Sequence, residues 1–290
     1  MLTKLLLISS IVSTVAFIPG QARNSILTRL LAMSDVAVKI NPRDERRRIL
    51  KSENYNRMGF KEEKKDVAEM MITEFTSPLV AELRANKGVI TRGDVTVKLA
   101  EFYGFCWGVE RAVAMAYEAR SHFPDKTIHI TNEIIHNPQV NERLHDMDIQ
   151  FMDGKDGPKD FGKVNSGDVV ILPAFGATIQ EMQLLDQKGV QIVDTTCPWV
   201  SKVWNAVDSH TKAGQTSVIH GKWAHEETIA TASFCENYII VKDLDEAMYV
   251  ANYITNGGDK DEFLRKFRNA VSKGFDPDVH LKKVSSLPVE

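Results

Sequence analysis

Between residues 127 and 254 short apolar runs alternate with segments whose apolar residues recur at helical spacing, and few architectures accept that order. Strands are predicted over 127–135, 168–173, 190–195, 216–220 and 238–242, and helices over 178–188, 198–213, 226–234 and 244–254. A strand that pairs in parallel with its neighbour needs a crossover connection, and the intervening helices supply it. The fold class is therefore α/β, with mainly parallel sheets in layered lobes. The recurrence of strand, reactive residue and helix suggests that the lobes are pseudo-repeated.

Ahead of this region, Val95-Thr96-Val97-Lys98-Leu99-Ala100-Glu101-Phe102 alternates as a first strand should. Residues 35–93 are charged and weakly patterned, although 65–86 has helical spacing through Val67, Met70, Phe75, Leu79 and Leu83, so the stretch reads as a helical extension. At the start, Lys4 precedes an apolar run over 5–17 that is too short to span a bilayer. Arg23 and Arg29 then stand among hydroxyl residues, with no acid before Asp35. A secretory-type signal joined to a transit-like stretch is similar to the two-part import sequences of algae with complex plastids, and the plastid stroma is the expected location. An ordinary secretory signal is the other reading. The expected organisation is a targeting segment over 1–34, an extension over 35–94, a first lobe with its leading strand over 95–197 and a second, incomplete lobe over 198–290.

The formal net charge of -3 excludes a dedicated nucleic-acid binder, which would carry a basic excess. No segment beyond the leader is apolar enough to cross a membrane, so no membrane is expected for the mature form. Three widely spaced cysteines do not make a disulfide framework and read as thiols for chemistry or packing. Cys106 lies in Gly104-Phe105-Cys106-Trp107-Gly108, after the first strand and at the start of a helix, where free N–H groups favour a sulfur anion. Cys197 repeats the arrangement in Asp194-Thr195-Thr196-Cys197-Pro198, with proline ready for the first helical turn. Strand ends of a parallel sheet converge on one rim, so cysteines remote in sequence can share a site there. His136 and His225 occupy similar corners and could bind a diphosphate or move protons. For each residue alone, packing remains the other reading. No dinucleotide fingerprint, Walker loop or serine elbow competes.

Gly-Phe-Cys-Trp-Gly-Val-Glu-Arg-Ala from Gly104, Thr-Asn-Glu-Ile-Ile-His-Asn-Pro from Thr131, Pro-Ala-Phe-Gly-Ala from Pro173, Asp-Thr-Thr-Cys-Pro-Trp-Val from Asp194 and His-Glu-Glu-Thr from His225 together resemble one family. It is 4-hydroxy-3-methylbut-2-enyl diphosphate reductase, plastid and cyanobacterial type. The resemblance implies three α/β lobes around a 4Fe-4S cluster, each lobe giving one cysteine, with electrons from a ferredoxin-like donor and an allylic diphosphate as substrate. It implies Cys106 and Cys197 as cluster ligands, His136 and His225 as the grip on the diphosphate, and Glu227 as the source of the proton that lets water leave. Glu226 is the neighbour without a role. Phe175 stands where bacterial members place a histidine and marks the plastid and cyanobacterial branch.

The family's third cysteine, its Ser-x-Asn motif and a Thr-Thr segment should follow Asp276-Pro277-Asp278, and the chain closes soon after at Glu290. The expectation is thus a truncated member that lacks the third lobe and is inactive alone, with Cys235 packed in a core rather than substituting as a ligand. Two further readings are a zinc site built from Cys106, Cys197, His136 and His225, and an interaction or regulatory remnant without chemistry.

Overall fold

The computed structural model describes residues 41–152, 159–222, 224–259, 261–263 and 265. The expected import segment over 1–34 and the turn at 276–278 lie outside the described residues. A helix α1 (Pro42–Ile49) leads to the short strand β1 (Tyr55–Asn56). Then come helices α2 (Lys64–Phe75) and α3 (Pro78–Ala85), the hairpin strands β2 (Val89–Arg92) and β3 (Val95–Lys98), and helix α4 (Trp107–His122). The alternating part follows as β4 (Ile128–Ile130), α5 (Pro138–Asp146), β5 (Ile149–Phe151), β6 (Val169–Leu172), α6 (Ile179–Gln187), β7 (Gln191–Asp194) and α7 (Pro198–Lys212). It ends with β8 (Ser217–His220), α8 (Glu226–Ser233), β9 (Tyr238–Val241) and α9 (Leu244–Asn256).

The first lobe is a five-stranded sheet in the order β1-β7-β6-β4-β5, parallel at every pairing. All four β6 side chains are buried, as a strand covered on both faces requires. Val169 and Ile171 pack on one side with Val113, Ala116 and Tyr117 of α4 and with Leu144 of α5. Val170 and Leu172 pack on the other with Ile49 of α1, Met182 and Leu185 of α6 and Trp204 of α7. Each such side chain contributes about 2 kcal/mol of burial. The result is three layers, helix on sheet on helix. A second parallel pair, β8 with β9, carries α8 as its crossover and begins the second lobe.

The mainly parallel α/β architecture matches expectation, and three details of the extension and the leading strand differ. Its Tyr55 and Asn56 form β1, pairing with Ile192 and Val193, so residues 35–94 contribute to the first lobe's sheet. The helix expected over 65–86 breaks before Pro78, because the residue ahead of a proline is pushed out of the helical region and Ser77 is extended. The leading strand does not join the first lobe's sheet: β3 pairs antiparallel with β2 in a separate hairpin, where hydrogen bonding to an adjacent segment satisfies its backbone locally. The border expected at residue 198 also falls inside a packed unit, since Trp204 and Val207 of α7 belong to the first lobe's core.

Candidate functional site at the strand ends

The loops of His136, Cys197 and His225 leave the carboxyl ends of the parallel strands β4, β7 and β8, whereas the Cys106 loop follows the antiparallel strand β3. Cys106 is the N-cap of α4 and Cys197 the N-cap of α7, so both sulfurs sit at positive helix ends without capping hydrogen bonds from their side chains. Gly108, buried in the first turn of α4, explains how they approach. A β-carbon there would lie 2.5 Å from the Cys197 sulfur and 4.0 Å from that of Cys106, so both sulfurs flank the space that this glycine leaves.

The two cysteine corners are tied by Arg111. From α4 its guanidinium donates to the carbonyls of Thr195 and Thr196 at 3.4 and 3.3 Å and to that of Arg57 at 2.5 Å. Burial pulls the Arg111 guanidinium down from its ordinary value, and nearby Asp194 opposes that shift. Behind Cys197, the buried Asp194 carboxylate accepts from the Tyr55 hydroxyl at 2.6 Å and from the Thr196 N–H at 2.9 Å, and pairs with Arg57 at 3.5 Å. Burial, reinforced by Asp194, pushes the Tyr55 phenol well above its ordinary range. Thr195 donates its hydroxyl to the Leu172 carbonyl at 2.6 Å, and Cys197 donates its N–H to the Ala174 carbonyl at 3.0 Å. The Thr196 hydroxyl is buried without a hydrogen-bond partner. Gly176, at φ +89°, lets this corner close: a β-carbon there would meet the Trp204 ring at 2.3 Å.

The histidines meet at the same rim. Asn137 caps α5 by accepting from the N–H groups of Gln139 and Val140, and Pro138 fills the first helical position. Asn141 clamps the loop from within, accepting from Ile134 N–H at 3.1 Å and donating to the Ile135 carbonyl at 2.9 Å. His136 is thereby presented with its Nε2 atom 3.0 Å from Nε2 of His225, which caps α8. The Phe175 ring stacks on His136 at 4.4 Å between centroids and meets His225 edge-on at 5.3 Å. Glu133 lies 2.9 Å from Nδ1 of His136.

Glu227 is half-buried beside this pair, its backbone N–H donating to Nδ1 of His225 at 3.2 Å. The structure gives Glu226 more contact than expected: its carboxylate accepts from the Asn132 side chain and lies with His136 and His225, their ligand atoms within 4.8 Å of one another. The role expected of Glu227 came from the resemblance, which says nothing of the contact that Asn132, on another loop, makes with Glu226. Cys235 follows the far end of α8 from His225, donates to the Thr231 carbonyl at 3.6 Å and packs with Ile219 and Tyr238. Burial pushes its thiol up to about 11, as suits a packed cysteine.

Cys106 and Cys197 thus form one donor set, and His136, His225 and Glu226 another. The two sulfurs are soft donors of the kind that a thiolate-held group requires. The histidine trio fits a divalent ion less well. Nδ1 of His225 accepts a backbone N–H, so in the neutral ring Nε2 carries the proton and its lone pair is not available to a metal.

A cleft of about 700 Å³ lies beside the cysteine corners, between the first turns of α4 and α7. Arg57, Lys64, Arg111 and Lys202 line it together with Trp107, which is 62% exposed.

A family model described as LytB protein matches residues 97–274. The chain is 61% identical over 233 residues to a 4-hydroxy-3-methylbut-2-enyl diphosphate reductase of Picosynechococcus sp., covering 80% of this chain and 58% of that protein. It is equally similar to one of Microcystis aeruginosa, 61% over 233 residues with the same coverages of 80% and 58%, and 58% identical over 239 residues to one of Nostoc punctiforme, with coverages of 82% and 59%. Among solved structures, the E-1-hydroxy-2-methyl-but-2-enyl-4-diphosphate reductase of Plasmodium falciparum aligns with a TM-score of 0.46 at 27% identity, covering 51% of this chain and 45% of that one. The chain spans about 58% of the length of the curated relatives it matches. It belongs to the LytB protein family.

Proposed function

We propose that this chain carries the first two cysteine corners and the anion grip of an iron-sulfur reductase acting on an allylic diphosphate, 4-hydroxy-3-methylbut-2-enyl diphosphate. The observation that supports it best is the placement of both cysteine sulfurs around the space beside Gly108, on the rim that also holds the histidine pair. In the overall change two electrons and two protons enter, the allylic C–O bond breaks, and water leaves with isopentenyl or dimethylallyl diphosphate.

Cys106 and Cys197 would hold a 4Fe-4S cluster. Bound there, such a cluster supplies stored electrons from a ferredoxin-like donor and a Lewis-acidic iron. The chain's own residues do the rest. His136 and His225 seat the terminal phosphate groups, and Phe175 holds both rings in place. Glu227 supplies a proton to the departing oxygen, a step that needs an acid in a site shielded from water. Asn132 holds Glu226 beside the histidines.

The decisive experiment is anaerobic reconstitution of the full chain with iron and sulfide, followed by reductive turnover of the allylic diphosphate. A brown, oxygen-sensitive protein that loses its colour on Cys106→Ser or Cys197→Ser supports the reading. A colourless protein with stoichiometric zinc would replace it with the metal-site alternative. Turnover that disappears in Glu227→Gln while colour persists assigns the proton step. We also propose delivery to a plastid by residues 1–34, which a fluorescent fusion to that segment would check.

A further inference from the structure

The hydrogen bonds around the two imidazoles form a directed chain. It begins with the backbone N–H of Glu227, which can only donate, so Nδ1 of His225 must accept at 3.2 Å. A neutral ring with an unprotonated Nδ1 carries its hydrogen on Nε2. His225 therefore donates from Nε2 across 3.0 Å to Nε2 of His136, which must accept. His136 then carries its hydrogen on Nδ1 and donates it to the Glu133 carboxylate at 2.9 Å. One backbone amide thus fixes both tautomers, and the order runs Glu227, His225, His136, Glu133.

Such a pair is asymmetric toward an anion. His225 already presents an Nε2–H that a phosphate oxygen can accept. His136 presents a lone pair, which repels one. Two routes would turn His136 into a donor. Moving its hydrogen from Nδ1 to Nε2 would leave the bare Nδ1 facing the Glu133 carboxylate, two acceptors with no hydrogen between them. Adding a proton to Nε2 keeps the Glu133 bond and makes an imidazolium flanked by a carboxylate, the arrangement that stabilises a charged ring. Among the described residues, His225 and Glu226, both from the start of α8, also lie close to His136. His225 cannot take that proton on Nδ1 while that nitrogen accepts from the backbone N–H of Glu227.

We propose that seating a phosphate group on this pair draws one proton from solvent onto His136, and that Glu133 is the positioning residue that makes proton uptake, rather than a tautomer switch, the route. The proposal rests on the diphosphate reading of this rim given above.

The test uses the full chain with histidine-labelled nitrogen, inorganic pyrophosphate as the probe, and two-bond proton–nitrogen spectra of the imidazoles at about pH 8, above the ordinary imidazole range near 6.5. In the free protein His225 should show a bare Nδ1 and His136 a bare Nε2. On saturation with pyrophosphate, both nitrogens of His136 should be protonated. Glu133→Gln replaces the carboxylate with an amide that can donate to Nδ1. In that variant pyrophosphate should still bind, with His136 neutral and its hydrogen on Nε2. Linkage gives a second readout: between about pH 7 and 9, wild-type affinity should fall about tenfold per pH unit relative to the Gln variant. A merely structural Glu133 would leave that difference at zero. Pyrophosphate that binds while His136 of the wild type stays neutral overturns the proposal alone. Pyrophosphate that does not bind, or binds unchanged in both His136→Asn and His225→Asn, overturns the diphosphate reading and this proposal together.

Discussion

A β-carbon on Gly108 would stand 2.5 Å from the sulfur of Cys197, so the bare backbone of one cysteine's helix makes room for the other cysteine. Gly108→Ala separates helix stability from site geometry. Alanine should stabilise α4 by about 1 kcal/mol on helix propensity alone, yet its methyl group occupies the space between the two thiols. Dibromobimane, which fluoresces only after both its arms react, should bridge Cys106 and Cys197 in the wild type. Bridging should fall sharply in Gly108→Ala and vanish in Cys106→Ser. Equal bridging in wild type and Gly108→Ala would show that the glycine does not govern the approach.

Asp194→Asn should destabilise the first lobe. Asp194 is 1% exposed and accepts from Tyr55 and Thr196 while pairing with Arg57, and Arg46 lies close enough to feel its charge. Burial already pulls the Arg46 guanidinium down, and its Nε and one terminal nitrogen have no hydrogen-bond partner. Removing the carboxylate charge leaves these cations uncompensated, at a cost of about 2 to 3 kcal/mol, discounted for the partly exposed Arg57. Urea unfolding followed by tryptophan fluorescence measures it.

Cys235 should govern part of the alkaline stability. Its thiol is pushed up to about 11 from an ordinary 9.0, so folding favours the neutral form. The associated stability is complete below about pH 9 and is lost as pH rises toward 11, amounting to about 3 kcal/mol at most. Unfolding free energies of the wild type and Cys235→Ala should therefore converge across that window. The same burial should protect Cys235 from iodoacetamide at neutral pH while Cys106, an exposed residue, reacts.

Phe175→Leu should loosen both imidazoles while leaving the fold nearly unchanged. The aromatic contacts with His136 and His225 are each worth about 1 kcal/mol, so pyrophosphate affinity should drop roughly threefold to tenfold. Titration calorimetry reads the loss, and far-ultraviolet circular dichroism checks that the fold is retained.

The alternating region was legible because each of its elements carries its own signal. The predicted strand over 190–195 is observed as Gln191–Asp194, and Pro198 opens the next helix as expected. The corners holding Cys197, His136 and His225 follow from the rule that loops at parallel strand ends share a rim, whereas Cys106 reaches it from the antiparallel strand β3. What escaped depends on contacts between distant segments. α1 has only Ile49 buried and is otherwise crowded with charge, so no apolar stripe announces it. β1 is two residues long, below the reach of any alternation pattern. The resemblance gave Glu226 no role, and only the position of Asn132, on a distant loop, shows that its carboxylate is held beside the histidines. Gly108 looked like one more small residue until the loop of Cys197 was placed against it.

The brief pairing of β1 with β7 also sets an order of events in folding. Tyr55 and its partner Asp194 are 139 positions apart, so the sheet's outermost strand cannot be anchored until the distant β7 is in place. Closing so long a loop carries an entropic cost before the contact returns any energy, and topologies dominated by such contacts fold slowly. The segment emerging early from the ribosome must therefore wait for a template made much later. Cys197 occupies a corner whose floor, Asp194, is completed by that late-docking strand, so its sulfur becomes correctly placed only near the end of folding.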